Sequence, residues 1–212
     1  MSVFASKLST NADIFAANRQ DMLALLDDYQ EIRSRAEALS EKRRARFEER
    51  GQLTPRERLL RLLDPGMPYL ELYGLANYAV DTEDRSKSIP GASALSGIGF
   101  VSGIRCLVYV DDSGINAGAS TQMSGEKIRA SLDMAIQHKL PFVHLVESAG
   151  ANLMQYQVES WARGGGIFYR LALLSAAGIP TFTVLHGPAT AGGAYMPGMS
   201  DYVISIRGRG RA

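Results

Sequence analysis

The sequence predicts an α/β protein in which buried parallel strands alternate with helices, entered through a helical N-terminal extension. Three observations carry this. The segments "LPFVHLVESAGA" (140–151) and "IPTFTVLHGPATAGGA" (179–194) share one plan: a proline, a continuous β-forming run, then a loop of very small residues. Continuous apolar runs indicate strands covered on both faces. Between them "GGIFYRLALLSAAG" reads as a helix stopped by glycine, which completes a βαβ unit.

Taken in order, residues 14–50 read as helical. Phe15, Met22, Leu23, Leu26, Tyr29 and Ile32 form an apolar stripe, and "EIRSRAEALSEKRRARFEER" alternates charges and is expected to stand in solvent. In "LTPRERLLRLLDPG", Thr54 caps, Pro55 takes the first helical position, Glu57 completes a capping box, and Asp64-Pro65-Gly66 ends the helix. "NYAVDTEDRSKSIPGASALSG" reads as an exposed loop. "SGIGFVSGIRCLVYVDD" then gives two β-rich runs joined by Ser102-Gly103, a hairpin signal. "SGEKIRASLDMAIQHKL" places Ile128, Leu132, Ala135 and Ile136 on one helical face. "RGGGIF" (163–168) reads as a flexible entrance to the next helix, without the pattern of a phosphate loop or a dinucleotide fingerprint.

The chain has 212 residues, is 46% hydrophobic and carries a net charge of +1, so a real core is expected and no global field attracts nucleic acid or a membrane surface. No apolar run approaches the ~18 residues a spanning helix needs. One cysteine, Cys106, allows no intrachain disulfide and suits a reducing compartment, so a cytoplasmic location is expected.

Parallel strands with right-handed crossovers bring both small-residue loops to one sheet edge, where ligands of α/β sheets collect. Such loops offer backbone N–H groups, and "ESAGAN" and "TAGGAY" together would form an oxyanion hole. Gly192 and Gly193 serve either as donors to developing negative charge or as spacers for tight helix–sheet packing.

"TAGGAYMPGMSDYVI" closely resembles the carboxyltransferase (beta) subunits of biotin-dependent acyl-CoA carboxylases, above all the methylcrotonyl-CoA and geranyl-CoA carboxylase branch. "GQLTPRERLLRLLDPG", "GIGFVSGIRCLVYVDDSG" and "LVESAGANL" agree with that family in order and spacing, from about residue 51 onward. The resemblance implies a crotonase-like fold of stacked ββα units over residues 67–212, after the extension 1–66. It implies Gly192 and Gly193 as oxyanion donors, with Ala149, Gly150 and Ala151 bordering the acyl-CoA thioester; Ser148, Thr190 and Ala191 are expected to bind substrate with them, and Tyr195, next to the Gly-Gly turn, reads as acyl pocket or packing. Biotin, on a separate carrier, supplies the carboxyl group and the base; coenzyme A belongs to the substrate, and no metal is implied. Hydration chemistry is disfavoured because Ala194-Tyr195-Met196 stands where crotonase-fold hydratases often place a carboxylate.

Glu147-Ser148-Ala149-Gly150 replaces the family's Asp-Ser-Gly-Gly, and Ala117-Gly118 a Gly-Gly pair. Each alanine falls where glycine's freedom at positive φ is expected to matter. Family members continue into a second half that receives biotin, whereas this sequence stops at "VISIRGRGRA". The expectation is an incomplete domain, inactive alone, with an unpaired strand edge. Its expected partners are a biotin carboxylase, a biotinyl carrier, and either the missing half or further copies of itself. The alternatives are an acyl-CoA decarboxylase half-domain and an inactive subunit that binds CoA esters or forms oligomers.

Other residues read as structural. His138, His144 and His186 lack metal-ligand spacing, and Ser148 and Ser200 lack a nucleophile-elbow context. Arg163 is a candidate for a CoA phosphate, Tyr156 and Trp161 are pocket walls or packing, and the tail arginines are surface residues.

Overall fold

A computed structural model of the protein describes residues 5–152 and 157–212; the side chains of Ser160 and Trp161 lie outside that description, as does Tyr156. Three helices come first: α1 (Asp13–Glu41), α2 (Arg44–Glu49) and α3 (Pro55–Leu62). The strands β1 (Leu70–Glu71), β2 (Ala94–Val101), β3 (Ile104–Asp111), β5 (Phe142–Ser148), β7 (Thr181–Ala189) and β8 (Tyr202–Ser205) form one sheet in the order β1-β2-β3-β5-β7-β8. β1 to β3 pair antiparallel, and β3, β5, β7 and β8 pair parallel. β4 (Ala119–Ser120) and β6 (Gly150–Ala151) make a second, two-stranded parallel sheet.

The hairpin between β2 and β3 closes as the Ser102-Gly103 signal requires. Both residues are left-handed (φ 53° and 76°), and their N–H groups donate to the two carboxylate oxygens of Asp64 at 2.8 and 2.6 Å. Two positive-φ residues in a two-residue loop match the right-handed twist of the strands. Asp64 thus ties the end of the α3 segment to the turn.

α4 (Gln122–His138) and α5 (Val158–Ala176) cover one face of the sheet. Leu132, Leu171, Leu174, Phe142 and Val146 are buried between them and the strands, and Arg170 forks onto Asp133 at 2.7 and 2.9 Å. The capping box of α3 forms as its sequence demands, and Leu59 carries that helix onto the opposite face, against Val108, Val110, Val143 and Leu145.

Three expectations are corrected. Most of the apolar stripe of α1 is exposed, with Met22 56% and Leu26 44% accessible, while Ala36, Ser40 and Phe47 in the charged stretch are buried. Small residues let the helix approach closely: Ser40 donates to Asp112 at 2.7 Å, and Phe47 packs beneath the Arg58 guanidinium. The loop before β2 is exposed only in its first part. Ser88, Pro90 and Ala92 are buried, with Ser124 donating to Ala92 O and Lys127 to Gly91 O and Ala94 O. Burial lowers the Lys127 pKa to about 8. Finally, "RGGGIF" lies inside α5 and is no entrance to it. Helical hydrogen bonding of the flanking residues overrides the roughly 1 kcal/mol each glycine costs.

Among the described residues no helix is long and apolar enough to cross a membrane. β8 is the sheet edge, with Tyr202, Val203 and Ile204 all exposed.

Candidate active site

Parallel pairing of β5 and β7 delivers both small-residue loops to the same edge, and they meet. Ser148 O accepts Thr190 N–H at 3.1 Å and Thr190 Oγ1 at 3.4 Å. Ser148 Oγ donates to Gly118 O at 3.2 Å and accepts Gly150 N–H at 3.1 Å, which folds the first loop back on its own strand. Gly150 is left-handed (φ 85°), and a side chain there would meet Thr190 Oγ1 at 3.1 Å. Glycine's freedom is therefore used at Gly150 and not at Ala149, which keeps an ordinary negative φ. At Ala117 the expectation holds: its φ of 52° is left-handed without glycine.

The second loop turns through Ala191–Ala194 as a 3₁₀ segment and continues into α6 (Tyr195–Gly198). The two glycines differ. Gly193 N–H already donates to Thr190 O at 2.9 Å, and a Cβ at Gly193 would sit 3.1 Å from Ser148 Cβ. Gly193 is thus bonded within the turn and packed closely on Ser148. Gly192 precedes the turn's first internal hydrogen bond, so its N–H is not consumed by it, and a Cβ there would meet nothing within 4 Å. Of the two glycines, only Gly192 has an N–H outside the turn's own hydrogen bond and an open Cβ position.

The loops border a cavity of about 550 Å³. Ser148, Gly150, Ala151, Ala191, Gly192, Gly193 and Tyr195 line it. Ala149 and Thr190 do not: Ala149 is turned outward, and Thr190 holds the loops together. Tyr195 packs against Phe168 of α5, the rings tilted by 36° with centroids 4.6 Å apart, and forms a wall. Gly164 and Gly165 of α5 line another wall, with nothing within 4 Å of either Cβ position. Arg163 stands at the rim, 3.7 Å from Glu126, and Arg129 pairs with the same carboxylate.

Glu147 points the other way, because alternate residues of a strand face opposite sides. Its carboxylate sits among Arg58 (3.2 Å), Ser113 (2.8 Å), Gln52 (3.5 Å) and His186 (3.6 Å). Only glycine fits at Gly187, where a Cβ would lie 2.5 Å from Glu147 Cγ. Arg58 Nη1 faces His186 Nε2 at 3.4 Å. Burial, then the neighbouring guanidinium, lower the His186 pKa to about 3, and burial lowers that of Arg58 as well. His186 is thus neutral, with Nε2 as acceptor, and the cluster braces α3 against the sheet away from the cavity.

Tyr109, Asp111 and His144 also line the cavity, and sequence reasoning missed them. Alternation along β3 and β5 put them on the cavity face with Phe142 and Ser148, a signal available only once the covered face is known. His144, which reads as structural in the sequence, thus borders the cavity. Among the described residues no cluster of three or more His, Cys, Asp or Glu is arranged to hold a metal.

Comparison with known proteins identifies the family and the fold. A family model described as the carboxyl transferase domain matches residues 46–211. The chain is 43% identical over 166 residues to a probable biotin-dependent acyl-coenzyme A carboxylase beta2 subunit of Mycobacterium tuberculosis, covering 78% of this chain and 30% of that protein. It is 38% identical over 201 residues to the biotin-dependent 3-methylcrotonyl-coenzyme A carboxylase beta1 subunit of the same organism, covering 94% of this chain and 37% of that one. The crystal structure of the Pseudomonas aeruginosa geranyl-CoA carboxylase beta subunit superposes with a TM-score of 0.89 at 42% identity, covering 99% of this chain and 39% of that one. The chain spans about a third of the length of the curated relatives it matches. With the family model covering most of its length and the crotonase-like sheet and loops in place, this chain belongs to the carboxyl transferase family of the biotin-dependent acyl-CoA carboxylases.

Proposed function

We propose that this chain binds an acyl-CoA ester and stabilises its thioester enolate through backbone amides, as one half of a carboxyltransferase site. The observation that carries this is the union of the two loops through Thr190 and Ser148, which leaves Gly192 open to the cavity. One donor aimed at a developing oxyanion in a dry site is worth roughly 3 to 4 kcal/mol. The segment Thr190–Pro197 holds no carboxylate or imidazole, so the turn fits a reaction whose base comes from elsewhere. Biotin on a separate carrier supplies that base and the carboxyl group when it docks. This chain's own part is to seat the thioester oxygen at Gly192, with Gly150 and Ala151 alongside, and to wall the acyl group with Tyr195 and Phe168.

Residues 67–212 carry the site, and the extension 1–66 braces it through α3. The partners are a biotin carboxylase, a biotinyl carrier, and a second carboxyltransferase half or further copies of this chain, in the cytoplasm. Carboxylation of a panel of acyl-CoA esters by the purified chain, supplied with a biotin carboxylase, a biotinyl carrier and the second half of a related carboxyltransferase, tests the reading. Turnover of at least one ester supports it. Failure with every ester, while the related full-length subunit works under the same conditions, removes it.

A further inference from the structure

The cavity floor carries polar groups that the amide turn does not use. Tyr109 and His144 are paired across the β3–β5 ladder, each 2% exposed, with their rings edge to face at 5.0 Å. His144 Nε2 lies 3.3 Å from Asp111 Oδ1, and the other Asp111 oxygen accepts Glu147 N–H at 3.2 Å. The approach of Nε2 to Asp111 lacks hydrogen-bond geometry, so both ring nitrogens of His144 are buried without a hydrogen-bond partner. Among the described residues the Tyr109 hydroxyl has no hydrogen-bond partner either. Burial raises its pKa well above the ordinary value, so it remains a neutral donor. The walls around this floor, Ile128, Ile167 and Phe168, are apolar.

The floor is also set back from the turn. Ser148 pairs with Ala189 at the loop end of the sheet, while His144 pairs with Thr183 four residues earlier. At ~3.3 Å per residue that is about 13 Å along the strand. A hydrocarbon chain reaching the floor would leave the phenol and the imidazole unsatisfied, whereas an oxygen there would offer them a hydrogen-bond partner. Sites built around buried hydrogen-bonding groups discriminate strongly against analogues that lack the matching group.

We propose that Tyr109, His144 and Asp111 form a recognition subsite for acyl-CoA esters bearing a hydroxyl or keto oxygen toward the far end of the acyl chain. This rests on the CoA-ester reading above. The test is calorimetric binding of the purified chain to octanoyl-CoA and ω-hydroxyoctanoyl-CoA, and to decanoyl-CoA and ω-hydroxydecanoyl-CoA. In at least one pair the hydroxy ester is expected to bind about tenfold tighter or better. Tyr109→Phe, which removes one oxygen and keeps the ring, is expected to bring that ratio close to one; His144→Gln, made alongside, is expected to lower it too. Equal affinity within both pairs overturns the subsite alone, as does a preference that survives in both variants. No binding of any ester overturns the subsite together with the CoA-ester reading.

Discussion

Lowering the pH should weaken the fold through His186. The side chain is 4% exposed, with Arg58 Nη1 3.4 Å from its Nε2, and its pKa falls to about 3 against 6.5 in an unfolded chain. Above pH 6.5 the residue is neutral in both states and stability is full. Below it the unfolded chain takes up a proton that the folded one refuses, so stability falls by roughly 1.4 kcal/mol per pH unit until the folded-state pKa is reached. At pH 5 the loss is about 2 kcal/mol, and the full interval amounts to about 5 kcal/mol, comparable to the whole stability of a modest domain. Glu147, 3.6 Å from Nδ1, opposes this, but its carboxylate is already held by Arg58 and Ser113. Urea unfolding of the wild type and His186→Gln at about pH 7.5 and pH 5 isolates the effect, since every other titrating group is common to both proteins. The variant should lose about 2 kcal/mol less than the wild type between the two conditions. Parallel losses would refute the assignment of a neutral, buried His186.

The remaining predictions separate positions that look alike in sequence. Gly192→Val should leave thermal stability within about 1 kcal/mol, because its side chain enters open space, yet lower carboxylation in the reconstituted system by roughly a hundredfold or more; unchanged turnover would sink the donor role. Gly193→Ala should instead destabilise by about 1–3 kcal/mol, through contact with Ser148, as measured by urea unfolding. Ala117→Gly should stabilise by up to about 1 kcal/mol, because it relieves a left-handed alanine at φ 52°; a loss in the same assay would show the conformation is unstrained. Arg58→Met should cost about 3 kcal/mol or more by leaving the Glu147 carboxylate buried without its cation, and Arg58→Met with Glu147→Gln should recover part of that loss.

Much of the local structure follows from residue order alone. Thr54, Pro55 and Glu57 form their capping box, and Ser102-Gly103 closes its hairpin, because both depend on neighbours within a few residues. The convergence of the two loops follows from strand direction, which the intervening α5 imposes whatever its side chains are. Exposure of the charged half of α1 did not follow. Its burial depends on Ala36 and Ser40 meeting Gly91 and Asp112, residues far away in sequence.

What the sequence by itself determined is therefore the scaffold and the edge at which ligands collect, since period, capping and turn chemistry are short-range. Only the tertiary structure decided which atoms at that edge are free. Gly192 and Gly193 are adjacent and chemically identical, yet one N–H is taken by Thr190 and the other is not. Glu147 and Ser148 are also neighbours, yet they face opposite sides of the sheet and meet different partners. Alternation along a strand separates the two faces, but packing decides which face holds a cavity. Hydrogen bonds between distant segments then decide which polar groups remain for a ligand.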